Sequence, residues 1–308
     1  MGKKLYKYIA PGTLEKAFSD PSQCGFKFSY PKDYNDPFEL FLTINFENDK
    51  EIAAFYKEVV IQIPQYPTTC FSKSPTVVPM WAHYAQNSEG FVIEIDEDKL
   101  KSIHSDIKID DVIYRNEPRS EIGSTLQMAL YRGKPRDYMF LRNGVQHAAY
   151  FTKHTCWEYE QERRMVVDHE SIYEVGDNMI FNIPSECVTA IIAGPKAEQK
   201  YRDEGRELSE TLGCQYFDLI IGKSTSAPFF LERTKLTYIF DGDAIVQTAE
   251  SCSNCREPTS GESKLCIWCG ITEEDRLAAA STNPLRAFHE YGILEEYVTT
   301  FNNIGRNK

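Results

Sequence analysis

Short apolar or alternating segments, separated by turn-forming residues, follow one another along most of the chain. Runs of roughly four to eight such residues are typical of strands, and longer stretches with a helical period are typical of helices. By these patterns, strands are predicted at 5–9, 26–29, 69–72, 91–96, 112–114, 163–167, 188–194, 215–221 and 235–240. Helices are predicted at 14–18, 49–63, 79–85, 119–132, 136–152 and 197–212. Because the two types do not alternate regularly, we expect an α+β fold rather than a series of βαβ units.

A change of composition near residue 247 predicts two domains. Residues 1–247 carry the elements above and are expected to form a catalytic or ligand-binding α+β domain. Residues 248–251 (Thr-Ala-Glu-Ser) indicate a linker, so 248–308 would form a small second module. This module is expected to end in one helix over roughly 284–301, where apolar residues recur at helical spacing.

Two Cys-x-x-Cys pairs stand close together in the second module. Cys252 and Cys255 form the first pair, and Cys266 and Cys269 form the second. Two such turns present four thiolates, the tetrahedral sulfur shell that zinc prefers, and a site with four protein ligands is structural rather than catalytic. The residues between the pairs include three that favour a turn: Pro258, Ser260 and Gly261. The pattern resembles a zinc ribbon.

Three other interpretations of the cysteine pairs stay open. Two disulfides would need an oxidising compartment, and a thioredoxin-like redox pair would need its own βαβ unit. An iron–sulfur cluster would use the same thiolates. In a module with little core, metal binding supplies folding free energy. We expect the module to dock to a partner protein or to the first domain. Trp268 is either part of its core or an exposed contact, and the core is the favoured interpretation.

Charge and hydropathy exclude several classes of protein. The net charge of −12 opposes nonspecific binding to a phosphate backbone. No apolar run reaches the roughly 20 residues that cross a bilayer, and the basic start lacks the apolar segment of a secretory leader. Five further cysteines are scattered singly, as expected for buried thiols in a reducing cytosol: Cys24, Cys70, Cys156, Cys187 and Cys214. The sequence therefore predicts a soluble, cytoplasmic protein without membrane contact.

An acidic segment follows Trp157 and leads into a predicted strand. In extended chain Glu158, Glu160 and Glu162 would share one face, where their carboxylates repel unless cations or a ligand offset the charge. One interpretation is a solvated strand edge with salt bridges. The other is a carboxylate placed to bind a ribose hydroxyl or to steady a cationic transition state. A catalytic thiol at Cys156 is a further, less favoured interpretation.

A short aromatic helix around His83 is the second candidate. Pro79 lies in its first turn, Gly90 follows its end, and Trp81 and Tyr84 flank the imidazole. A histidine in such a helix is either a hydrogen-bonded core residue or a catalyst, and the segment alone favours the first.

Several motifs occur in a fixed order along the first domain. They are Leu5-Tyr6-Lys7-Tyr8, Asn35-Asp36-Pro37-Phe38-Glu39, Phe71-Ser72, Met80-Trp81-Ala82-His83-Tyr84-Ala85 with Gly90-Phe91, then Trp157 and Glu160-x-Glu162-x-Arg164. This order resembles a bacterial family known as domain of unknown function 2971. The resemblance extends over roughly residues 1–170, and more loosely to the strand that ends in Gly194. Its most specific part is the block 81–85.

The order of motifs also resembles, more weakly, the ADP-ribosyltransferase fold, a split mixed sheet with flanking helices. That fold carries Arg or His on its first strand, Ser or Tyr beside a helix in the middle, and a catalytic Glu, often as Glu-x-Glu, on a late strand. The resemblance implies an enzyme that uses NAD, bound in a cleft between two small sheets. The implied catalytic residues are Glu162, Glu160, His83 and Tyr84. The implied NAD-binding residues are Tyr6, Lys7, Tyr8, Ser72, Trp81 and Arg164.

The same resemblance implies a mechanism. Glu162 would hydrogen-bond the ribose 2′-hydroxyl and stabilise the oxocarbenium-like transition state as nicotinamide leaves, while His83, Tyr84 or Tyr8 would hold the ribose and stack on nicotinamide. One position departs from the family pattern, because Ile9 stands where members usually have Arg. Lys7 or Arg164 would then bind the phosphates, or the activity has been lost.

Three functions stay open at this point. The first is ADP-ribosyl transfer or NAD cleavage, in bacterial antiviral defence or as a toxin, with protein, nucleic acid or water as acceptor. The second is a non-catalytic protein that binds a nucleotide and docks a partner, or a second copy of the chain, through the zinc module. The third is a nuclease that binds magnesium through Asp36, Glu39 and Glu160 or Glu162.

Overall fold

The structure is a computed structural model that describes residues 2–36, 50–61, 63–117, 120–233, 235–259 and 264–304. Pro37, Phe38 and Glu39 of the loop motif and Ser260 and Gly261 of the predicted turn lie outside the described residues. The chain folds into two compact units: Met1–Ile221 with Ala227–Thr248, and Gly222–Ser226 with Ala249–Lys308. Among the described helices, none has the length and apolar character needed to span a membrane.

The strands of the first unit are short, and nine of the fifteen in the described residues lie at predicted strand segments. They are β1 (Lys4–Ile9), β2 (Gln23–Phe28), β3 (Thr68–Ser72), β4 (Phe91–Asp96), β5 (Lys108–Asp111), β6 (Ile113–Tyr114), β7 (Thr152–Lys153), β8 (Glu162–Val166), β9 (Tyr173–Val175), β10 (Asn178–Pro184), β11 (Val188–Ala193), β12 (Gln215–Ile220), β13 (Phe229–Glu232), β14 (Thr237–Phe240) and β15 (Ile245–Gln247). Its helices are α1 (Leu14–Ala17), α2 (Lys50–Ile61), α3 (Val78–Tyr84), α4 (Glu97–Ile103), α5 (Ser120–Arg132), α6 (Pro135–Tyr150) and α7 (Gln199–Leu212). The α+β class is confirmed.

Ten strands form one large mixed sheet in the order β15-β14-β13-β12-β11-β4-β1-β3-β8-β5. Within it β11 and β12 are parallel, since α7 connects them, and the other neighbours are antiparallel. A second sheet has the order β2-β10-β9, and β6 pairs with β7.

The large sheet is nearly divided between β1 and β3. Their register is the single pair Tyr6 with Ser72. On its other edge β1 pairs with β4 along its whole length, and β3 pairs likewise with β8. Past Tyr6 the two strands separate, and the Lys7 ammonium reaches across, donating to the Thr69 hydroxyl at 2.7 Å and to the Cys70 carbonyl at 2.8 Å.

Apolar side chains cover both faces of the large sheet. On one face Leu5 and Ile93 pack with Phe26 and other residues of the second sheet. On the other face Tyr6 and Tyr8 pack with Trp81 of α3. Helices α2, α5 and α6 form a separate apolar cluster among themselves. Burial on both faces fixes which side chains of β1 point toward each layer.

Gly90 has a packing reason for its place between α3 and β4. A Cβ at this position would lie 2.1 Å from the carbonyl oxygen of Ile9. Gly194, at the end of β11, is equally confined, since its Cβ would lie 2.3 Å from the carbonyl oxygen of Ser88. Both glycines permit a close backbone approach where β1 ends and β4 begins.

The prediction that the acidic segment is one extended strand is wrong. Residues Thr155–Glu160 form a 3₁₀ helix, and Gln161 adopts a left-handed conformation with φ of 48°. Only Glu162 lies on β8, and Glu158 is exposed. The turn at Gln161 changes the direction of the chain. The positions of Glu160 and Glu162 relative to each other therefore do not follow the alternation of a strand.

The second unit contains α8 (Ile267–Gly270), α9 (Glu273–Ser281), α10 (Pro284–Glu290) and α11 (Leu294–Asn303). The single helix predicted over 284–301 is therefore wrong, because Gly292, with φ of 73°, separates α10 from α11. Glycine takes this left-handed conformation without the strain that other residues meet. No residue of α9, α10 or α11 within the described range is buried.

Candidate functional site

A cavity of about 450 Å³ opens at the gap between β1 and β3. Residues 6–9 and 68–71 line it on the two sides of the gap. Tyr84 of α3 lines the same cavity as Glu160 and Glu162. The acidic pair and the aromatic helix, far apart in sequence, thus face a single hollow.

Lys153, on β7, joins the two carboxylates. Its ammonium lies 2.7 Å from Glu160 Oε2 and 3.1 Å from Glu162 Oε2, and only 8% of the lysine is exposed. The Tyr84 hydroxyl donates to Glu160 Oε1 at 2.7 Å, and Arg164 Nε donates to Glu162 Oε1 at 2.7 Å. Each carboxylate oxygen of the pair therefore has a hydrogen-bond donor, as buried charges require.

The neighbouring cations keep Glu162 ionised. Burial alone would raise the pKa of the Glu162 carboxyl, but Arg164 and Lys153 outweigh burial and lower that pKa to about 2. Burial would lower the pKa of the Lys153 ammonium, but Glu162 and Glu160 outweigh it and raise that pKa. Burial, together with the Glu160 carboxylate, raises the pKa of the Tyr84 phenol, so this hydroxyl stays a neutral donor.

The Glu162 ion pairs predict a loss of stability in acid. A glutamate in an unfolded chain titrates near about pH 4.3, so a folded pKa of about 2 stabilises the protein above that value. As the pH falls from about 5 toward 2, Glu162 alone should remove about 3 kcal/mol of unfolding free energy. Urea denaturation at stepped pH measures this slope.

Two substitutions test that assignment. Glu162→Gln should flatten the acid slope, whereas Glu204→Gln, which removes an exposed pair with Lys200, should leave it unchanged. The same steepness in Glu162→Gln as in the unsubstituted protein would show that other carboxyls account for the acid sensitivity.

Lys7 differs from the other buried cations of the site. Its ammonium holds two neutral acceptors, Thr69 Oγ1 and the Cys70 carbonyl, and forms no ion pair within the described residues. Burial lowers the pKa of this ammonium, and Cys70 and Glu162 oppose the shift only in part. An ammonium has three donors, so one remains for a ligand in the cavity that Lys7 lines.

Cys70 also lines the cavity but is not suited to act as a nucleophile. Burial, with the Glu162 charge nearby, raises the pKa of its thiol to about 12. The reactive form of cysteine is the thiolate, which is scarce at neutral pH under these conditions. Cys156 is exposed and does not line the cavity, so neither thiol has the setting of a catalytic cysteine.

The structure brings together some of the sequence candidates and separates others. Those that line the cavity are Tyr6, Lys7, Tyr8, Tyr84, Glu160 and Glu162. His83 is exposed and outside its wall. Trp81 is buried, donates from Nε1 to the Pro75 carbonyl and packs against the Tyr8 ring. These contacts give Trp81 a structural place beneath the site.

Ser72 and Arg164 support the site from outside the cavity wall. The Ser72 hydroxyl donates to the Glu160 carbonyl at 2.7 Å and so fixes the turn that carries this glutamate. The Arg164 guanidinium is fully buried between Glu162 and the Tyr150 carbonyl. Arg164 is therefore committed to Glu162 rather than presented to a ligand.

Sequence reasoning missed Lys153, the residue that contacts both acids. Neither spacing nor a flanking motif marks it, because its role depends on the pairing of β7 with β6. Trp157 lies against it, with the Lys153 ammonium 4.8 Å from the ring centroid. The position of Trp157 three residues before Glu160 could have suggested a cation between ring and carboxylate, but not which one.

The carboxylates of the nuclease hypothesis do not form a metal site within the described residues. The one group of potential metal ligands found there is the cysteine cluster. Asp36 lines the cavity, while Glu160 and Glu162 are occupied by Lys153. Glu39 lies outside the described residues.

In the second unit the four cysteines form a compact sulfur cluster. The Sγ atoms of Cys252, Cys255, Cys266 and Cys269 all lie within 4.8 Å of one another. Those of Cys255 and Cys266 are 3.6 Å apart. A tetrahedral zinc with bonds of about 2.3 Å places its sulfurs about 3.8 Å apart, so the cluster fits a metal ion of this kind.

Glu257 ties the loop 222–226 to this cluster within the second unit. Its buried carboxylate accepts from the backbone amides of Ser224 and Thr225 at 2.8 and 2.9 Å. A Cβ at Gly222 would lie 2.2 Å from Glu257 Oε1, which explains the glycine. Trp268, expected in the core, is 55% exposed, and that prediction is wrong. Its indole instead donates to a loop carbonyl, that of Lys223, at 2.8 Å.

Comparison with known proteins gives one match. Residues 80–165 match the model of a family described as Protein of unknown function (DUF2971). No curated protein and no solved structure matches the chain. The matched segment runs from α3 into β8 and includes Tyr84, Lys153, Glu160 and Glu162. Over the segment that supplies the acidic side of the cavity, the chain is therefore similar to a family of unknown function.

Proposed function

We propose that the first unit binds NAD in the cavity and breaks its nicotinamide–ribose bond, for ADP-ribosyl transfer or hydrolysis. The observation that carries this proposal is the convergence of Glu160, Glu162 and Tyr84 on a cavity at the split between β1 and β3. Fold and substrate are suggested by the resemblance to ADP-ribosyltransferases. The acceptor would be a protein, a nucleic acid or water.

The chemistry needs a negative group beside a sugar carbon that becomes positive. The Glu162 carboxylate is ionised and buried, and a carboxylate has about four lone-pair sites. Arg164 and Lys153 use one site each, which leaves room for a ribose hydroxyl. Lys153 and Arg164 balance the charge of the two carboxylates. The Glu162 oxygen would therefore stabilise the transition state through its proximity to the positive sugar carbon, and not through a net negative charge of the site.

Lys7 is the residue best placed to bind the phosphates. Ile9, at the position of the family arginine, supplies an apolar side chain to the cavity wall. Arg164 is occupied by Glu162, whereas Lys7 keeps one N–H donor for a ligand. An anion near this amine would favour its charged form and offset the cost of burial.

Lys7→Met is expected to weaken NAD binding about 10- to 100-fold, the effect of losing one charge-assisted hydrogen bond. Binding should also weaken as the pH rises through the lowered pKa of Lys7, because the anion binds the ammonium. Calorimetric titration with NAD at several pH values measures both effects. Lys16→Met, at an exposed position outside the cavity wall, serves as the control.

The test of turnover is the release of nicotinamide from NAD, with transfer of labelled ADP-ribose measured in parallel. Release above the uncatalysed background supports the proposal. A protein that neither binds NAD nor releases nicotinamide would contradict it.

A second candidate is a non-catalytic nucleotide-binding protein. It is favoured by the engagement of all four oxygens of Glu160 and Glu162, and by Ile9 in place of the family arginine. Its signature is tight NAD binding without nicotinamide release. Magnesium-dependent cleavage of plasmid DNA would instead support the nuclease.

For the second unit we propose a structural zinc ion held as in a zinc ribbon. The closed set of four thiolates supports this, because it leaves no coordination position for a substrate. The exposed apolar residues of α9 to α11 suit the docking of a partner protein or a second copy. A cytoplasmic role in antiviral defence or as a toxin accords with the family resemblance.

A further inference from the structure

Lys153 is the only described residue that makes an ion pair with both Glu160 and Glu162. It projects from β7, outside the motifs of the acidic segment, and lines the cavity itself. Glu160 Oε2 and Glu162 Oε2 both contact its nitrogen, so these oxygens lie less than about 6 Å apart. Two carboxylates at such a distance do not both stay ionised in a buried site without a cation.

We propose that Lys153 is a positioning residue whose ammonium keeps Glu160 and Glu162 ionised together and aims both carboxylates into one hollow. The effect of Lys153 on turnover rests on the proposed function, whereas its electrostatic role does not. Arg164 cannot replace it, because its Nε bonds to Glu162 Oε1 and no contact joins it to Glu160 among the described residues.

Removal of Lys153 would change the balance of charge around Glu160 and Glu162. With Lys153 present, two cations face two acids, counting Arg164. Without Lys153, the Glu160 carboxylate would keep the neutral Tyr84 hydroxyl as its only side-chain donor among the described residues. The acidic pair should then hold one shared proton to a higher pH than an ordinary glutamate does, and its titration would belong to the pair rather than to either residue.

The other titratable groups around the pair do not take over this role. Those facing it are Tyr84 of α3, Cys70 of β3, Tyr114 of β6, Lys7 of β1, Tyr34 and Tyr159. Burial raises the pKa of the phenols and the thiol, so they stay neutral. Lys7 has a lowered pKa and titrates as an amine. A readout specific to glutamate carboxyl groups therefore excludes the phenols, the thiol and the amine.

The experiment follows glutamate side-chain carboxyl groups by carbon-13 NMR in the resting protein, without NAD. In Lys153→Met one carboxyl signal should titrate at least about one pH unit above the ordinary glutamate value. Lys153→Arg, which keeps the charge, should show no such signal. Lys153→Met combined with Glu160→Gln should abolish it, since Arg164 then balances Glu162. Lys99→Met, which breaks an exposed pair with Glu186, is the matched control.

The outcomes separate this proposal from the proposed function. If Lys153→Met shows no raised carboxyl titration, the proposal is overturned whatever the protein does with NAD. If the variant folds only in acid, the result supports the proposal, because a proton then replaces the ammonium. If it fails to fold at any pH and Glu160→Gln does not rescue it, Lys153 acts through packing and the proposal is overturned.

For a protein that cleaves NAD, Lys153→Met should lose turnover as the pH falls through the new carboxyl midpoint, because the acidic pair then takes up a proton, and Lys153→Arg should keep the original pH profile. A uniform loss at every pH would indicate a structural role and overturn the positioning role.

Discussion

Glu162→Gln is expected to lower nicotinamide release on the order of 10²- to 10³-fold with little change in the affinity for NAD. The amide cannot supply the negative oxygen that the breaking nicotinamide–ribose bond requires. The substitution should also cost about 3–5 kcal/mol of unfolding free energy, because Lys153 and Arg164 lose the negative charge that they share. Turnover and chemical denaturation are measured on the same preparation.

Glu158→Gln is the matched control for this substitution. Glu158 stands in the same acidic segment but is exposed and does not line the cavity, so its variant should keep full turnover. Glu162→Asp keeps the charge while withdrawing the carboxylate, and should fall between the two. Equal nicotinamide release by folded Glu162→Gln and the unsubstituted protein would remove Glu162 from the mechanism.

Removal of the metal should unfold the second unit and leave the first unit folded. Its described helices α9 to α11 bury no residue, so metal binding is expected to supply most of the folding free energy, about 10–16 kcal/mol in small zinc modules. After chelation the loop 222–226 should lose the bonds that Glu257 and Trp268 make to it. Trypsin should then cut after Lys223, which the fragment masses would report.

The metal content itself is measured by native mass spectrometry, with one zinc per chain as the expected result. Cys266→Ser should behave like the chelated protein, and Cys156→Ser, at an exposed thiol, should behave like the unsubstituted one. Unchanged resistance to trypsin after complete chelation would show that the sulfur cluster does not hold the unit together.

The local sequence pattern was sufficient to predict most of the strands and helices that surround the cavity. The strands β1, β3, β4 and β11 lie close to the predicted segments because burial on both faces gives them continuous apolar runs. By contrast, α4 was missed, since its start depends on the Asp96 side chain accepting from the Lys99 amide. The short strands β5, β9 and β15 carry too few residues for a period to show.

The candidate site was only partly predictable for a different reason. Glu160 and Glu162 could be found as a spaced pair, but the spacing suggested strand alternation, whereas a left-handed Gln161 places them. Lys153 meets them only through tertiary pairing, and no short-range signal encodes that contact. The cysteine cluster could be predicted without the tertiary structure, because each Cys-x-x-Cys pair is local in sequence and the preference for zinc follows from the four thiolate ligands.

The single register pair between β1 and β3 has a mechanical consequence. The strands from β15 to β1 form one plate and those from β3 to β5 another, joined by Tyr6 with Ser72 and by the reach of Lys7. One backbone pair holds two strands together only weakly. Without a ligand, the two plates should therefore move relative to each other at the gap between β1 and β3. A rigid ligand that contacts both plates would link them. Binding of this ligand should then reduce the mobility of the whole sheet.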